Sequence, residues 1–181
     1  MNKSSSEARV GVESHHQLRH PAPSPHFLRI DHIALAVKDV NAAVAVFCNH
    51  LGFTLTNRLE IRGAKTGMIS AELEANGIKF VLCQGTEPSS QVSKLIDNFG
   101  VGVAHIALEV HSVSAAFEDL SSRGVAFDTS IISSPGLTQT FTSRYSDVGL
   151  SFELIARNGE QGFSRDGVQQ LFNQMENGGK F

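Results

Sequence analysis

Two histidines occupy equivalent places in a chain that repeats itself. His32 lies in IDHIALAV and His105 in VAHIALEV, 73 positions apart. Further on, GIKFVLCQ from Gly77 matches GLSFELIA from Gly149 at an offset of 72. The second copy carries a carboxylate, Glu153, where the first has Val81. Two imidazoles and one carboxylate suffice to hold a divalent metal and leave coordination positions open, a donor set suited to non-haem Fe(II) oxygen chemistry. An acid inside the apolar run LSFELIA is costly to bury alone, and a cation would relieve that cost. With no acid at Val81, the expected site has three protein ligands, His32, His105 and Glu153, rather than four.

The elements that must position these residues read the same way in both copies. A strand opens each (Ile30–Val37 and Val103–Val110), with His32, Ala34 and Ala36 on one face and Ile33, Leu35 and Val37 on the other. The histidine faces are lined by alanine and so leave space. A helix follows, capped by Asp39 in one copy and Ser112 in the other, with apolar residues at helical spacing and a closing Gly52 or Gly124. Three more strands are expected near 53–60, 66–75 and 78–84, and again near 125–132, 137–146 and 149–156. The fold class is therefore α+β, two βαβββ modules (28–88 and 101–157) enclosing one cavity. A short helix is expected in the linker 85–99. Another is expected over Asp166–Glu176, where Val168, Leu171, Phe172 and Met175 form one stripe.

The bulk numbers suit one globular domain. The chain has 181 residues, 41% of them hydrophobic, and a net charge of −3 without a basic block, which excludes nucleic acid and anionic membranes as expected partners. No apolar run reaches the ~20 residues that span a bilayer. Cys48 and Cys83 form no CxxC pair and read as buried, reduced thiols of a cytoplasmic protein. Residues 1–27, rich in Ser, Pro and His and lacking an apolar signal core, read as a disordered tail, with His15, His16, His20 and His26 solvated. His50 and His111 read as exposed, Glu109 as a surface acid, and one of Arg144 and Tyr145 as facing the cavity.

These residues resemble the vicinal-oxygen-chelate superfamily over about 28–157. More narrowly, from Arg29 to Glu176, they are similar to the catalytic C-terminal half of 4-hydroxyphenylpyruvate dioxygenase and 4-hydroxymandelate synthase. GVAHIAL (102–108) looks like the second-histidine strand, TEPSSQV (86–92) like the linker, and TQTFT (138–142) like a substrate-facing strand. FELIARNGEQGF (152–163) looks like the strand of the metal glutamate, and 158–181 like a gating helix and tail. The resemblance implies Fe(II) on His32, His105 and Glu153, with polar substrate positions at Ser70, Gln91 and Gln139 and aromatic ones at Phe141 and Phe163. It implies a small-molecule 2-oxo acid and dioxygen as reactants, oxidative decarboxylation with hydroxylation, and a possible homodimer. The sequence departs from the pattern at Ala104 (usually Gln), Thr86 (usually Asn) and Gly167-Val168 (usually Asn-Phe), which implies an altered substrate. The alternatives are a metal-dependent epimerase or glyoxalase-type isomerase or lyase, and a small-molecule-binding resistance protein.

Overall fold

The computed structural model describes residues 27–159 and 162–178; the stretch 1–26, with His15, His16, His20 and His26, lies outside the described residues. The first copy consists of β1 (Phe27–Ala36), α1 (Val40–Ala45) with a π-helical turn (Val46–His50), β2 (Thr54–Arg62), β3 (Gly67–Ala75) and β4 (Ile78–Gly85). Helix α2 (Gln91–Phe99) links it to the second copy: β5 (Gly102–Val110), α3 (Val113–Ser122), β6 (Ile132–Ser134), β7 (Leu137–Phe141) and β8 (Ser151–Arg157). Helix α4 (Arg165–Gly178) closes the chain. The α+β expectation is met by one mixed sheet in the order β2-β3-β4-β1-β5-β8-β7-β6.

That order is the same half-sheet twice, joined by the antiparallel pair β1–β5. In each half the first strand runs parallel to the last, β1 with β4 and β5 with β8. The bulky faces pack against the helices as the alternation demands. Val40 of α1 joins Ala71, Leu73 and Leu82, and Val113 and Ala116 of α3 join Val110, Leu154 and Ala156. Both helices start where a side chain accepts orphan N–H groups: Asp39 from Asn41 and Ala42, and Ser112 from Ala115. On the opposite face α4 lays Val168 and Phe172 on Ile61 of β2.

Four expectations need correction. The first helix is not uniform: after Ala45 it widens into the π turn, which carries Phe47 onto Phe53 and Phe80 at ring separations of 5.3 and 5.0 Å. The strand expected over 125–132 is reduced to Ile132–Ser134 plus an isolated bridge from Phe127 to Thr142. Here side chains replace the ladder: Phe141 N donates to Thr129 Oγ1, and Ser143 Oγ donates to Asp128. Likewise β7 stops at Phe141 rather than 146, because Thr142 Oγ1 accepts from Phe152 N and the chain then turns back through Gly149 (φ 69°). Cys48 and Cys83 are unpaired, as expected, but half-buried rather than buried. No helix among the described residues is long and apolar enough to cross a membrane.

The end of β4 is packed to its limit. A side chain at Gly85 would meet Ser90 Oγ and Ser93 Oγ well inside contact, with Ser93 N at 3.0 Å. Ser90 is the fully buried cap of α2, so it cannot yield. Gly85→Ala should therefore lower unfolding free energy by about 1–3 kcal/mol, as overpacking does. Chemical denaturation would measure it, and an unchanged midpoint would contradict this packing.

Candidate metal centre

Strands β1, β5 and β8 are consecutive neighbours, so one residue from each can meet at one point. Glu153 Oε2 lies 3.3 Å from Nε2 of both His32 and His105. One ligand atom from each of the three residues falls within a 4.8 Å cluster, the only such group of three among the described residues. Glu153 is 1% exposed and His32 2%, while His105 is partly open. Glu153 Oε1 is buried without a hydrogen-bond partner. A buried carboxylate oxygen with an unused lone pair, opposite two convergent imidazoles, fits a metal ion better than it fits a hydrophobic core.

The fourth position can be checked against the sheet register. Glu153 pairs with Ala107, two residues after His105, and Val81 pairs with Ala34, two residues after His32. Val81 therefore occupies in the first half the place that Glu153 occupies in the second. It lines the same cavity and offers no donor.

All five residues assigned to substrate contact line that cavity: Ser70 on β3, Gln91 at the start of α2, Gln139 and Phe141 on β7, and Phe163 before α4. Phe141 stands edge-on to His105 at 5.0 Å and Phe163 to His32 at 5.2 Å. Gln139 is 1% exposed, and its Oε1 has no partner. The Gln91 amide donates to Phe172 O and so also holds α4. The apolar stripe of α4 (Val168, Leu171, Phe172 and Met175) roofs the cavity.

Of the minor candidates, His50 and His111 are exposed, and Glu109 is half-buried and accepts a hydrogen bond from Arg29. Arg144 lines the cavity and Tyr145 does not. The sequence reading missed two features. Glu72 on β3 lines the cavity two residues beyond Ser70, so alternation from Ser70 would have found it. Its carboxylate accepts from Asn57 Nδ2 at 2.7 Å, and burial raises its pKa. Asp31 and Arg157, a buried ion pair behind His32, were also missed.

The electrostatics distinguish the two histidines. Burial would lower the His32 pKa, but the Glu153 charge and the hydrogen bond to Asp31 outweigh it and raise the value to about 9. Burial lowers that of His105. Burial would raise Glu153, but the charge of His32 and the hydrogen bonds of both imidazoles bring it below the usual carboxylate range.

The family profile described as Glyoxalase/Bleomycin resistance protein/Dioxygenase superfamily matches residues 29–146, and the chain belongs to that superfamily. The sequence matches no curated protein. Among solved structures, a triple variant of 4-hydroxymandelate synthase from Streptomyces coelicolor is similar, with TM-score 0.74 and 21% identity over 82% of this chain and 53% of that one. The chain thus spans about half the length of that enzyme. A methylmalonyl-CoA epimerase variant from the same organism is similar at TM-score 0.64 and 26% identity, over 76% of this chain and 99% of the epimerase. The epimerase from Mycobacterium tuberculosis gives TM-score 0.63 and 23% identity, over 77% and 93%.

The His32 value sets a pH dependence. A metal must displace the His32 proton, so divalent-metal affinity should rise with pH up to about 9 and fall on acidification. In chelator-stripped protein, NMR titration of His32 should give a pKa near 9. Glu153→Gln removes the largest raising influence and should bring it down toward roughly 6.5. A wild-type value already near 6.5 would overturn this charge distribution.

Proposed function

We propose that the chain is a non-haem iron dioxygenase that oxidatively decarboxylates and hydroxylates a 2-oxo acid, with Fe(II) held by His32, His105 and Glu153. The observation that carries this reading is Val81 at the position equivalent to Glu153, so that three side chains would hold the metal and coordination positions would stay open. Bound there, Fe(II) would supply Lewis acidity toward the 2-oxo acid and redox chemistry toward dioxygen.

The remaining work falls to the chain's own side chains. Gln139 and Ser70 offer hydrogen bonds in a mostly apolar cavity, and Phe141 and Phe163 set its width beside the two histidines. The stripe of α4 gives the cavity an apolar cover. Gly167 and Val168 give that helix a smaller wall than an Asn-Phe pair would, so the acid differs from 4-hydroxyphenylpyruvate. The unpaired thiols of Cys48 and Cys83 fit a cytoplasmic setting.

Glu72 favours a second reading, a metal-assisted isomerase of the epimerase or glyoxalase type. A half-buried carboxyl on the cavity wall, its pKa raised by burial, could move a proton next to a metal-bound carbonyl.

Two measurements separate these readings. Protein reconstituted anaerobically with Fe(II) should take up oxygen and release CO2 with one member of a panel of aryl and aliphatic 2-oxo acids, and His105→Ala should lose both. Val81→Glu supplies a fourth donor, so it should tighten metal binding while suppressing oxygen uptake. Deuterium exchange from solvent into a substrate, without oxygen uptake and abolished by Glu72→Gln, would establish the isomerase instead.

A further inference from the structure

The two histidines are equivalent in sequence but not in support. Strand β1 has a register shift between Ile30 and His32, and the β1–β5 ladder has another between Ala34 and Leu35, opposite Ala104. Each therefore falls at the residue just before a histidine, Asp31 in one half and Ala104 in the other. Strict alternation would send Asp31 to the face opposite His32. The bulge instead lets the Asp31 side chain turn back on its neighbour, with Oδ1 at 2.9 Å from His32 Nδ1. Asp31 is also gripped by Arg157 from the end of β8, Nε on Oδ2 at 2.7 Å and Nη2 on Oδ1 at 2.8 Å. Both side chains are buried.

We infer that Asp31 and Arg157 are positioning residues that lock His32 in one tautomer and one orientation, making it the rigid metal ligand, while His105 is the compliant one. This rests on the metal reading above. With two guanidinium N–H groups on it, Asp31 is an ionised acceptor and nothing else. Nδ1 of His32 must then donate, so the proton that a metal displaces is the one on Nε2, and the lone pair freed there faces Glu153 and the metal position. A carboxylate behind a ligating imidazole fixes its ring and raises its basicity. In the other half Ala104 can do none of this. Among the described residues, the His105 ring has no polar partner other than Glu153. Arg157 extends the lock to the cavity wall: its Nη1 donates to Gly162 O, and its guanidinium lies 5.0 Å from the centre of the Phe163 ring, which in turn stands against His32.

The test uses the full chain loaded with Co(II) and, for NMR, with Zn(II). Removing one partner alone would strand a buried charge and endanger folding. The variant is therefore the neutral pair Asp31→Asn with Arg157→Gln, and Val113→Ala in the α3 core serves as a destabilised control. The pair should weaken Co(II) binding by about 10–100-fold, as loss of such a supporting group does. In the Zn(II) protein it should also cost the His32 Nδ1–H resonance its downfield position and slow exchange. Val113→Ala should change neither. Wild-type protein that binds no Co(II) overturns the metal reading and this inference with it. Wild-type protein that binds Co(II), with a folded pair variant that binds equally well and keeps the ring proton, overturns this inference alone.

Discussion

Glu153 is the constraint around which the molecule is arranged. A carboxylate with 1% exposure costs several kcal/mol to desolvate, comparable to the whole stability of a domain this size. It persists because two imidazoles face it at 3.3 Å, and they can do so only if β1, β5 and β8 are adjacent. The strand order provides that adjacency: β1–β5 forms the centre of the sheet and β8 lies directly beside β5. Helix α3 packs on the back of β5 and β8, α1 on that of β3 and β4, and α4 lies over the cavity in front.

Duplication explains the frame, and its failures explain the site. Where the two copies agree, as at Ile33 and Ile106 or Leu35 and Leu108, the residues form strand interiors and packing faces. The chemistry sits where they disagree. Val81 against Glu153 sets how many donor side chains face the cavity, and Asp31 against Ala104 sets which histidine has a carboxylate behind it. The space over Ala104 is not idle: Arg144 reaches across and donates to Ala104 O. A symmetric fold thereby yields an asymmetric centre without altering its backbone plan.

Much of this was legible in the sequence because periodicity reports which face a residue occupies. The strand alternation and the 73-residue offset placed His32 and His105 on one surface, and the cap residues Asp39 and Ser112 marked where the helices begin. What was not legible depended on breaks in periodicity. A bulge leaves no compositional mark in IDHI, so nothing there singled out Asp31 as the partner of His32. The loss of strand over 125–131 came from Thr129 and Asp128 serving as hydrogen-bond partners, a tertiary choice that an apolar count does not detect. The π turn after Ala45 is equally silent, since its residues keep an ordinary helical pattern.

The donor set does not by itself choose among the reactions of the superfamily. Two imidazoles and a carboxylate bind Co(II) or Zn(II) at least as tightly as Fe(II), so affinity cannot be what selects oxygen chemistry. Selection has to come from how many coordination positions the protein leaves free and from what lines them. Here the next position on the wall is Val81, and the cover is the apolar stripe of α4. A proton-transfer enzyme needs a base within reach of its substrate carbon. A dioxygenase needs open positions and a dry wall that gives a reactive oxidant little to attack besides the substrate. Glu72 places a carboxyl on the cavity wall, but its Oε1 already accepts from Asn57 and from Phe163 N. Val81, Phe141 and the α4 stripe answer to the second, which is why we propose the dioxygenase ahead of the isomerase.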